Sequence, residues 1–515
     1  MMDLGTLFHF AVQRCPGAEA IVDGSTRRTY AAWYGEIRAV AGALRGMGLK
    51  RGDHLVVVMR NRYETASLYW AAHMLGLIFT PVTWRASADE LRYCLEDAEA
   101  AGVAFDDGAG DEIGKALAMI DFPAEKSVVG PGGRGEGVRF ESLLAADPID
   151  GPEAKIDAEA ACLMLYTSGT TGRPKGVPRS HRAEYMAGLS QLVHNRYRFG
   201  ESAIGVMPMF HTMGVRIMLS TAMLNGKLVC VPDYRPERVI ALIEEERISS
   251  AFLVPTMFHD ILRHPDCAAA DLSCLTHVGY AGMSMTTSLT KAVQERLRPE
   301  VFINFYGSSE IYTFSVCDHL DRKPGCAGRP GVNQALRIVS TAAGPDDIDA
   351  TVHPGQTGEI IASMSSPEAF RSYWKRPDAD RKALHRGWYR TGDLGTMDED
   401  GELYVVGRVD DMIISGAENI YPEEVEDVLS RIDGVTAVAV IGLPDERLGQ
   451  KVVACVEPNG EHVTSDALDN ACLRSGLARF KRPREYIFVE ALPRSASGKL
   501  LRRRLRETYS KSEQS

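Results

Sequence analysis

The chain reads Tyr166-Thr167-Ser168-Gly169-Thr170-Thr171-Gly172-Arg173-Pro174-Lys175-Gly176-Val177 at its most informative point. Glycines let backbone N–H groups approach a phosphate closely, the hydroxyls add hydrogen-bond donors, and the lysine and arginine add positive charge. A strand-like apolar run, residues 161–166, precedes the loop, which is unusual for a flexible Ser/Gly/Thr linker. We therefore predict that the loop wraps a polyphosphate through Thr167, Ser168, Gly169, Thr170, Thr171, Gly172 and Lys175.

The spacing of this loop differs from that of the common P-loop, in which four residues separate a glycine from a Gly-Lys pair. Gly169 and Gly172 are closer together, and Pro174 precedes the lysine. The loop instead resembles the signature of the adenylate-forming superfamily of acyl- and aryl-CoA ligases, carrier-loading adenylation domains and firefly-type luciferases. Four further stretches resemble that superfamily in its order: Asn304-Phe305-Tyr306-Gly307-Ser308-Ser309-Glu310, Tyr389-Arg390-Thr391-Gly392-Asp393-Leu394-Gly395, Gly407-Arg408-Val409-Asp410-Asp411 and Pro493-Arg494-Ser495-Ala496-Ser497-Gly498-Lys499.

The resemblance implies an α/β fold in two parts. A large domain, residues 1–407, would hold helix-covered, mostly parallel sheets and a β-barrel-like part, with the ATP and acid pockets. Residues 408–410 would form a hinge centred on Asp410, and residues 411–515 a small mobile lid carrying Lys499. Within the superfamily, the wording around residues 410–421 and 480–484 is most similar to bacterial aryl-CoA ligases, 4-chlorobenzoate CoA ligase among them.

Composition sets the broad class. The chain has 515 residues, 45% of them hydrophobic and 25% charged, which is ordinary for a soluble globular protein and too long for one core. A net charge of −11 argues against a nucleic-acid partner. Ten cysteines show neither Cys-x-x-Cys pairs nor zinc-type spacing, so no disulfide framework or structural metal site is indicated.

The predicted location is the cytoplasm. The start, Met1-Met2-Asp3-Leu4-Gly5, lacks the basic and apolar regions of a signal peptide. The longest apolar stretch, residues 66–82, contains a histidine and ends near a proline, so it predicts a buried helix leading into a strand rather than a membrane span. We expect a monomer or homodimer.

Strands and helices alternate along most of the chain. Strand-like runs at residues 54–59 and 228–231 alternate with helical patterns at residues 64–75 and 236–246, which predicts parallel sheets covered by helices. The pattern changes near residue 400. Asp400-Gly401 predicts a hairpin turn before a strand at 403–406, Tyr421-Pro422-Glu423-Glu424 opens a helix, and residues 437–443 and 451–456 predict strands.

The resembling motifs imply a definite chemistry. A carboxylate must be activated before a thiol can take its acyl group, and its attack on the α-phosphate of ATP expels pyrophosphate and leaves acyl-AMP. Charge builds at the phosphorus, so Mg²⁺ and a positioned lysine are needed. The resemblance gives these roles to Glu310, as metal ligand, and to Lys499, between carboxylate and phosphate. Read from its neighbours alone, Lys499 is one more cation of a basic tail that continues with Arg502, Arg503, Arg504 and Arg506.

Further residues are implied for the nucleotide. Tyr306 offers a ring on which adenine can stack, while Asp393 can accept both ribose hydroxyls and Arg408 can donate to one. Taken alone, Asp393 fits a turn-capping aspartate equally well. The resemblance adds Ala281, Gly282, Gly307, Ser308, Ser309 and Gly416; Ser309 keeps the hydroxyl of the threonine usual in the family.

The acid pocket, by resemblance, is lined by residues 207–215, 279–285 and 305–312. Its contacts would be Met213, Gly282, Phe305, Gly307 and Tyr312. Residues 209–214 offer no aspartate for an α-amino group, which disfavours amino acids. Bulky aromatic and methionine side chains, Met283 and Met285 among them, predict a small flat cavity for an aromatic, heteroaromatic or short-chain acid, although core packing explains methionines equally.

Two residues near the pocket have alternative interpretations. His211 either closes the pocket or orients the carboxylate as a catalytic residue, or it is a core histidine. No obvious cation awaits a second carboxylate of the acid apart from Arg216, which alternatively faces solvent or the phosphates on the following helix.

The predicted second step is transfer of the acyl group to the thiol of coenzyme A. The segment 412–419 would form part of the thiol channel, and it carries Gly416-Ala417 where aryl-ligase relatives commonly have Gly-Gly. Arg85, Arg482 and Arg484 are candidates for the CoA phosphates, or ordinary surface arginines. The alternatives are loading of an acyl carrier protein, a luciferase-type oxygenase and a non-catalytic nucleotide sensor.

Overall fold

The computed structural model describes residues 2–153, 156–167, 173–415, 418–459, 463–475, 477–494 and 500–512. The chain forms two compact units, one of Met1–Ala335 with Ser363–Gly387, and one of Leu336–Ala362 with Trp388–Ser515. The two units are defined by how densely their residues contact one another. The predicted hinge at residues 408–410 is instead a prediction about which part of the chain moves. The division into residues 1–407, 408–410 and 411–515 therefore stays a prediction.

The first unit contains a nine-stranded sheet whose centre is parallel, as predicted. Six neighbouring strands run in parallel, and antiparallel strands close both edges. In spatial order the strands are Arg329–Pro330, Ser315–Cys317, Val301–Tyr306, His277–Ala281, Ser250–Leu253, Ser202–Gly205, Lys227–Cys230, Glu19–Asp23 and Thr26–Thr29.

A second, seven-stranded sheet of the same unit carries the predicted phosphate loop at one edge. Its strands are parallel except for the last pair, which is an antiparallel hairpin. In spatial order they are Val138–Arg139, Ser127–Val129, Gly102–Phe105, His54–Val58, Ile78–Pro81, Ala161–Thr167 and Lys175–Ser180.

Helices of the first unit begin where the local sequence supplies a cap. Asp3 accepts a hydrogen bond from the Thr6 amide at the start of the first helix, and Ser87 and Glu90 form a capping box at another. The helices are Leu4–Arg14, Tyr30–Gly46, Tyr63–Leu75, Ala88–Asp97, Glu112–Met119, Phe140–Leu143, His181–Asn195, Thr212–Met223, Pro236–Glu245, Pro255–Arg263, Pro265–Ala269, Thr287–Leu297 and Pro377–Ala383. A two-residue strand, Leu384–His385, follows the last of them.

The core of the first unit includes the longest apolar stretch of the sequence. The helix Tyr63–Leu75 is buried along its whole length and leads into the strand Ile78–Pro81, which confirms the predicted helix and strand. Phe8 stacks on Trp70 with ring centroids 4.4 Å apart. Burial on all sides identifies this stretch as core.

The second unit contains two small sheets. Antiparallel strands Leu336–Val339, Gly358–Ser363, Trp388–Met397 and Leu403–Arg408 form the first, which corresponds to the predicted barrel-like part, with the predicted turn at Asp400-Gly401. The second has the strands Ile413–Ser415, Glu418–Ile420, Val435–Asp445, Gly449–Pro458 and Glu485–Phe488. The helices are Pro422–Leu429, Ser465–Arg474 and Arg502–Ser512.

Folding brings together a buried group that the sequence spacing does not reveal. The ligand atoms of His73, Cys162 and His181 lie within 4.8 Å of one another in the first unit. Burial raises the pKa of the Cys162 thiol, lowers that of His181 to about 4 and lowers that of His73 further. The group is therefore neutral at pH 7 and packs as part of the core.

Buried histidines predict that stability falls on mild acidification. Burial also lowers the pKa of His54 to about 4, whereas an unfolded histidine has a pKa near 6.5. Below about pH 6.5 these histidines bind protons in the unfolded chain but not in the folded chain. Each such histidine therefore lowers the free energy of unfolding by up to about 1.4 kcal/mol per pH unit until about pH 4.

The melting temperature, measured from pH 7.5 to 5, should fall less steeply for His54→Gln than for the wild type. His259→Gln, at an exposed histidine, is the control and should follow the wild-type curve. Parallel curves for His54→Gln and the wild type would contradict the assignment.

Candidate active site

The predicted phosphate loop is bounded by two antiparallel strands. Ala161–Thr167 leads into it and Lys175–Ser180 leaves it, with Thr167 and Lys175 paired across the strands. Ser168, Gly169, Thr170, Thr171 and Gly172 lie outside the described residues, so their role stays a prediction. Thr167 and Lys175 stand opposite each other at the base of the loop.

A tyrosine that the sequence analysis missed connects the predicted phosphate lysine to the predicted metal ligand. The Lys175 ammonium nitrogen lies 4.1 Å from the centroid of the Tyr373 ring. The hydroxyl of the same tyrosine donates to Glu310 Oε1 at 2.7 Å, and Glu310 is only 5% exposed. The Lys175 ammonium therefore packs on the ring of Tyr373, and the Glu310 carboxylate accepts a hydrogen bond from the hydroxyl of the same residue.

The backbone of Glu310 is held by a buried arginine. Arg179 Nη1 donates to the Glu310 carbonyl at 2.9 Å and to the Glu368 carbonyl at 2.6 Å. Arg179 Nε donates to Glu184 Oε1 at 2.8 Å, and both side chains are fully buried. The amide of Phe370 adds a hydrogen bond to the Glu310 carbonyl at 2.8 Å. These contacts fix the carboxylate before any ligand is present.

The turn between Tyr306 and Glu310 requires glycine at position 307. A Cβ there would lie 2.0 Å from the carbonyl oxygen of Tyr312, so no larger residue fits. Ser308 Oγ accepts hydrogen bonds from the amides of Glu310 and Ile311 at 3.2 and 3.4 Å. The turn places Tyr306, Ser308, Ser309 and Glu310 together at the end of the strand Val301–Tyr306.

The other predicted nucleotide residues of the first unit lie at the same edge of the sheet. Ala281 ends the strand His277–Ala281 and pairs in register with Phe305 on the next parallel strand. Gly282 follows with φ +89, a conformation that favours glycine. Carboxyl ends of parallel strands are where open α/β sheets bind ligands, so this edge is the candidate site.

The predicted acid contacts are buried side chains of one hydrophobic cluster. Met213, Phe305 and Tyr312 are 7%, 2% and 3% exposed. Phe305 packs edge-to-face on Phe252, with centroids 5.4 Å apart. Among the methionines, Met285 is buried but Met283 is exposed. Phe305 and Phe252 lie on strands, whereas Tyr312 lies between the strands Val301–Tyr306 and Ser315–Cys317.

His211 and Arg85 lie near this edge of the unit. His211 directly precedes the helix Thr212–Met223, and its ring lies 4.5 Å from that of Phe210, which packs on Trp84. Arg85 is exposed, with its guanidinium 5.5 Å from the Trp84 ring centroid. The roles of both residues stay predictions.

Arg216 is buried, so the alternative that it faces solvent is wrong. It is 3% exposed on the helix Thr212–Met223, with its guanidinium carbon 4.9 Å from the centroid of the Phe305 ring. The residues next to Arg216 in the sequence show no charge pattern that would predict its burial.

In the second unit, folding joins the two predicted ribose residues. Asp393 and Arg408 pair across antiparallel strands, and Arg408 Nη1 donates to Asp393 Oδ1 at 2.6 Å. The Asp393 amide donates to Thr391 Oγ1, whose hydroxyl donates to the Ile360 carbonyl at 2.7 Å. The pair is thus oriented by a turn that anchors to the neighbouring strand.

The arginine run near the end of the chain is an ion-paired helix. Arg502 contacts Glu426 at 2.7 Å, Glu423 at 3.3 Å and Asp411 at 3.4 Å. Arg506 pairs with Asp411 at 3.0 Å. These bonds hold the start of the helix Arg502–Ser512 beside the predicted hinge segment, so the arginines are not a free basic tail.

Lys499 and Gly416 lie outside the described residues, and their roles stay predictions. Arg494 and Leu500, on either side of residues 495–499, form a β-bridge. Asp410 lies in the single 3₁₀ turn Val409–Asp411. Arg482 pairs with Asp469 at 3.2 Å, and Arg484 directly precedes the strand Glu485–Phe488.

A family model described as AMP-binding enzyme matches residues 8–374, and one described as AMP-binding enzyme C-terminal domain matches residues 424–499. The chain belongs to the AMP-binding enzyme family. This membership confirms the resemblance seen in the sequence motifs and the predicted α/β fold.

Relatives of this AMP-binding enzyme align over nearly its whole length. Long-chain-fatty-acid–CoA ligase FadD13 of Mycobacterium tuberculosis is 31% identical, with 99% of each chain covered. 4-Chlorobenzoate–CoA ligase of Arthrobacter sp is 33% identical, covering 97% of this chain and 94% of its own. The ATP-bound structure of MatB from Rhodopseudomonas palustris superposes with a TM-score of 0.87 at 26% identity, covering 99% of both chains.

Across the described parts of the chain, no helix combines the length and hydrophobicity that a membrane crossing requires.

The hydroxyl of Tyr373 should strengthen metal-dependent nucleotide binding, because groups that orient a metal ligand typically change metal affinity about 10- to 100-fold. Tyr373→Phe should weaken binding of Mg²⁺-ATP by about that factor and leave binding of metal-free ATP nearly unchanged, as measured by calorimetry. Tyr280→Phe is the matched control, since the buried Tyr280 hydroxyl has no hydrogen-bond partner among the described residues. Equal effects on both forms of ATP would refute an orienting role.

Proposed function

We propose that this protein is an ATP-dependent carboxylate–CoA ligase. It converts a carboxylic acid and ATP into acyl-AMP and pyrophosphate, and it then transfers the acyl group to the thiol of coenzyme A. The observation that carries the proposal is the Lys175–Tyr373–Glu310 arrangement beside the predicted phosphate loop, in which Tyr373 and Glu310 are buried. The family membership and the CoA-ligase relatives support the same reaction class.

The donor set at Glu310 suits Mg²⁺. That ion takes oxygen ligands, and in nucleotide sites it binds one or two carboxylates together with substrate phosphates. Glu310 is such a carboxylate, oriented by Tyr373 and by a backbone that Arg179 holds. When bound, Mg²⁺ neutralises charge on the phosphates and makes pyrophosphate a better leaving group.

The protein's own residues supply the remaining charge and orientation. Lys175 provides a cation at the base of the loop, where it can meet phosphate oxygens. Asp393 and Arg408 hold the ribose, and the Tyr306 ring supports the adenine. Lys499 brings an ammonium between the acid's carboxylate and the α-phosphate, which favours the transition state over the bound substrates.

The second half-reaction uses coenzyme A as acceptor. The thiol attacks the acyl carbon of acyl-AMP, the acyl–phosphate bond breaks, and AMP leaves. Gly416 contributes to the thiol channel, and Arg85, Arg482 and Arg484 receive the CoA phosphates. Loading of an acyl carrier protein, light-producing oxygenation and nucleotide sensing are not favoured, because the relatives are CoA ligases.

The acid is a compact aromatic, heteroaromatic or short-chain one. Phe305, Tyr312 and Phe252 present aromatic surfaces at the predicted pocket, and such walls favour a flat ligand. His211 contacts the carboxylate from the start of its helix. Because ATP and coenzyme A are cytoplasmic substrates, the enzyme works in the cytoplasm as a monomer or homodimer.

The acid class can be tested by comparing benzoate, furoate, hexanoate and palmitate in acid-dependent ATP–pyrophosphate exchange. A compact pocket predicts the highest kcat/KM for the two ring acids or hexanoate, and on the order of a hundredfold less for palmitate, whose chain has no place among the packed rings. A preference for palmitate would overturn the proposed acid class without affecting the reaction.

Lys499→Ala should separate the two half-reactions. Pyrophosphate exchange should fall on the order of a hundred- to a thousandfold, the usual cost of removing one charge-stabilising donor. Thioester formation from supplied acyl-AMP and coenzyme A should remain, because that step needs no phosphorus chemistry. Lys451→Ala is the control, since Lys451 pairs with Glu485 away from the motif. Equal loss in both assays would argue against the assigned role.

A further inference from the structure

Arg216 is a buried cation without an ion-pair partner in the part of the chain that the structure describes. It is 3% exposed, and it forms no ion pair with any carboxylate of the described chain. Its hydrogen bonds go to neutral oxygens at long distances, 3.4 Å to the Tyr312 carbonyl, 3.5 Å to the Ala187 carbonyl and 3.2 Å to Thr313 Oγ1. Arg216 Nε, also buried, has no hydrogen-bond partner among the described residues.

A second buried arginine of the same core has the ion-pair partner that Arg216 lacks among the described residues, although its Nη2 likewise has no described hydrogen-bond partner. Arg179 is equally buried, but it has a carboxylate, Glu184, at 2.8 Å and two carbonyls within 2.9 Å. The first unit therefore gives the Arg179 guanidinium short hydrogen bonds and a charged partner. Among the described residues it gives Arg216 neither. Retaining an unpaired buried charge is costly, and the cost is removed when a ligand supplies the missing acceptor.

The acids near Arg216 each have one oxygen engaged elsewhere, while Glu184 Oε2 and Glu368 Oε2 have no hydrogen-bond partner among the described residues. The charges of Glu368 and Glu184 oppose the lowering of the Arg216 pKa by burial, so they act on it at longer range. Glu184 accepts from Arg179 Nε, and Glu368 Oε1 accepts from the Asn333 amide at 3.2 Å. Arg179, also nearby, adds repulsion. The immediate acceptors of Arg216 are thus neutral ones only.

Arg216 packs against two aromatic residues that are predicted to contact the acid. Its guanidinium carbon is 4.9 Å from the centroid of the Phe305 ring and 5.8 Å from that of Tyr312. Asn195 adds a second polar group, because its buried Oδ1 has no described hydrogen-bond partner and lies 3.5 Å from where a Gly279 Cβ would be. Polar groups of Arg216 and Asn195 therefore lie beside the segments predicted to line the acid pocket.

We propose that Arg216 forms a binding subsite for a second oxygen acceptor on the acid, at the end opposite the reacting carboxylate. The inference rests on the proposed ligase activity and narrows its substrate class to compact acids with such a substituent. The reacting carboxylate is not the group that Arg216 receives, since that carboxylate must reach the α-phosphate. A guanidinium offers several N–H donors in one plane, which suits a carboxylate or nitro group.

The test uses benzoates of similar size in ATP–pyrophosphate exchange with the full-length protein. 4-Methylbenzoate carries no acceptor, 4-nitrobenzoate a neutral one and terephthalate an anionic one, and the three meta isomers are assayed in parallel. The wild type should show a kcat/KM about ten- to a hundredfold higher for at least one acceptor acid than for its methyl counterpart. The nitro and carboxylate arms distinguish a neutral from an anionic substituent.

Arg216→Met should bring that ratio close to one while the methylbenzoates react as well as before or better. Arg196→Met, an exposed arginine at the end of the neighbouring helix, is the matched control and should keep the wild-type ratio. An unchanged ratio in Arg216→Met, or an equal loss for all acids, would overturn the subsite. So would a wild-type preference for the methylbenzoates.

The melting temperature gives a second test, because replacing an arginine with a structural role should lower it. Arg216→Met should melt no lower than the wild type, because replacing an unpaired buried charge by an apolar chain is neutral or stabilising. Arg179→Met should melt clearly lower, because it leaves Glu184 unpaired. If Arg216→Met melts as low as Arg179→Met, or does not fold, Arg216 is structural and the proposal is wrong.

The outcomes separate this inference from the ligase proposal. Exchange with none of a broad panel of acids would overturn the ligase function itself. Exchange with benzoate and the methylbenzoates, without any advantage for acceptor acids, would overturn only the Arg216 subsite.

Discussion

The buried guanidinium of Arg179 organises the candidate site of the first unit. It joins the strand that leaves the phosphate loop, the helix that follows, the turn carrying Glu310 and the segment that leads to Tyr373. Because its charge is matched by Glu184 and its Nη1 binds two carbonyls, the group is held rigidly, and of its nitrogens only Nη2 has no hydrogen-bond partner among the described residues. The orientation of the predicted metal ligand depends on this one cation.

Arg179 and Arg216 are both buried in the first unit, but they differ in their partners. Both arginines contact the Tyr312 ring, with guanidinium carbons 3.9 and 5.8 Å from its centroid, yet only one has a carboxylate partner. Arg179 has short hydrogen bonds and a carboxylate partner, whereas Arg216, which packs on residues predicted to line the acid pocket, has only long hydrogen bonds to neutral oxygens among the described residues. A buried charge without an ion-pair partner is costly, so this difference in charge pairing separates a structural from a ligand-directed role.

The second unit follows a similar principle with different groups. Cross-strand pairing places Arg408 on Asp393, and the triple carboxylate contact of Arg502 anchors the last helix. Burial raises the pKa of Glu423 to about 7, against the opposing charge of Arg502. Ion pairs thus define the geometry on both sides of the predicted hinge residue, Asp410, while that residue itself lies in a short turn.

The sequence by itself determined the family, the alternating α/β architecture and most element positions. Those properties depend on local patterns: the glycine and hydroxyl spacing of the loop, the apolar run of residues 66–82, the proline before the helix Pro422–Leu429. Only the tertiary structure decided that Tyr373 joins Lys175 to Glu310, that Arg179 holds the site, and that Arg216 is buried with no carboxylate partner among the described residues. Such contacts join residues far apart in the chain, 63 positions for Tyr373 and Glu310 and 131 for Arg179 and Glu310. Local sequence periodicity does not predict these contacts, because burial and pairing depend on which helices and strands pack together in the fold.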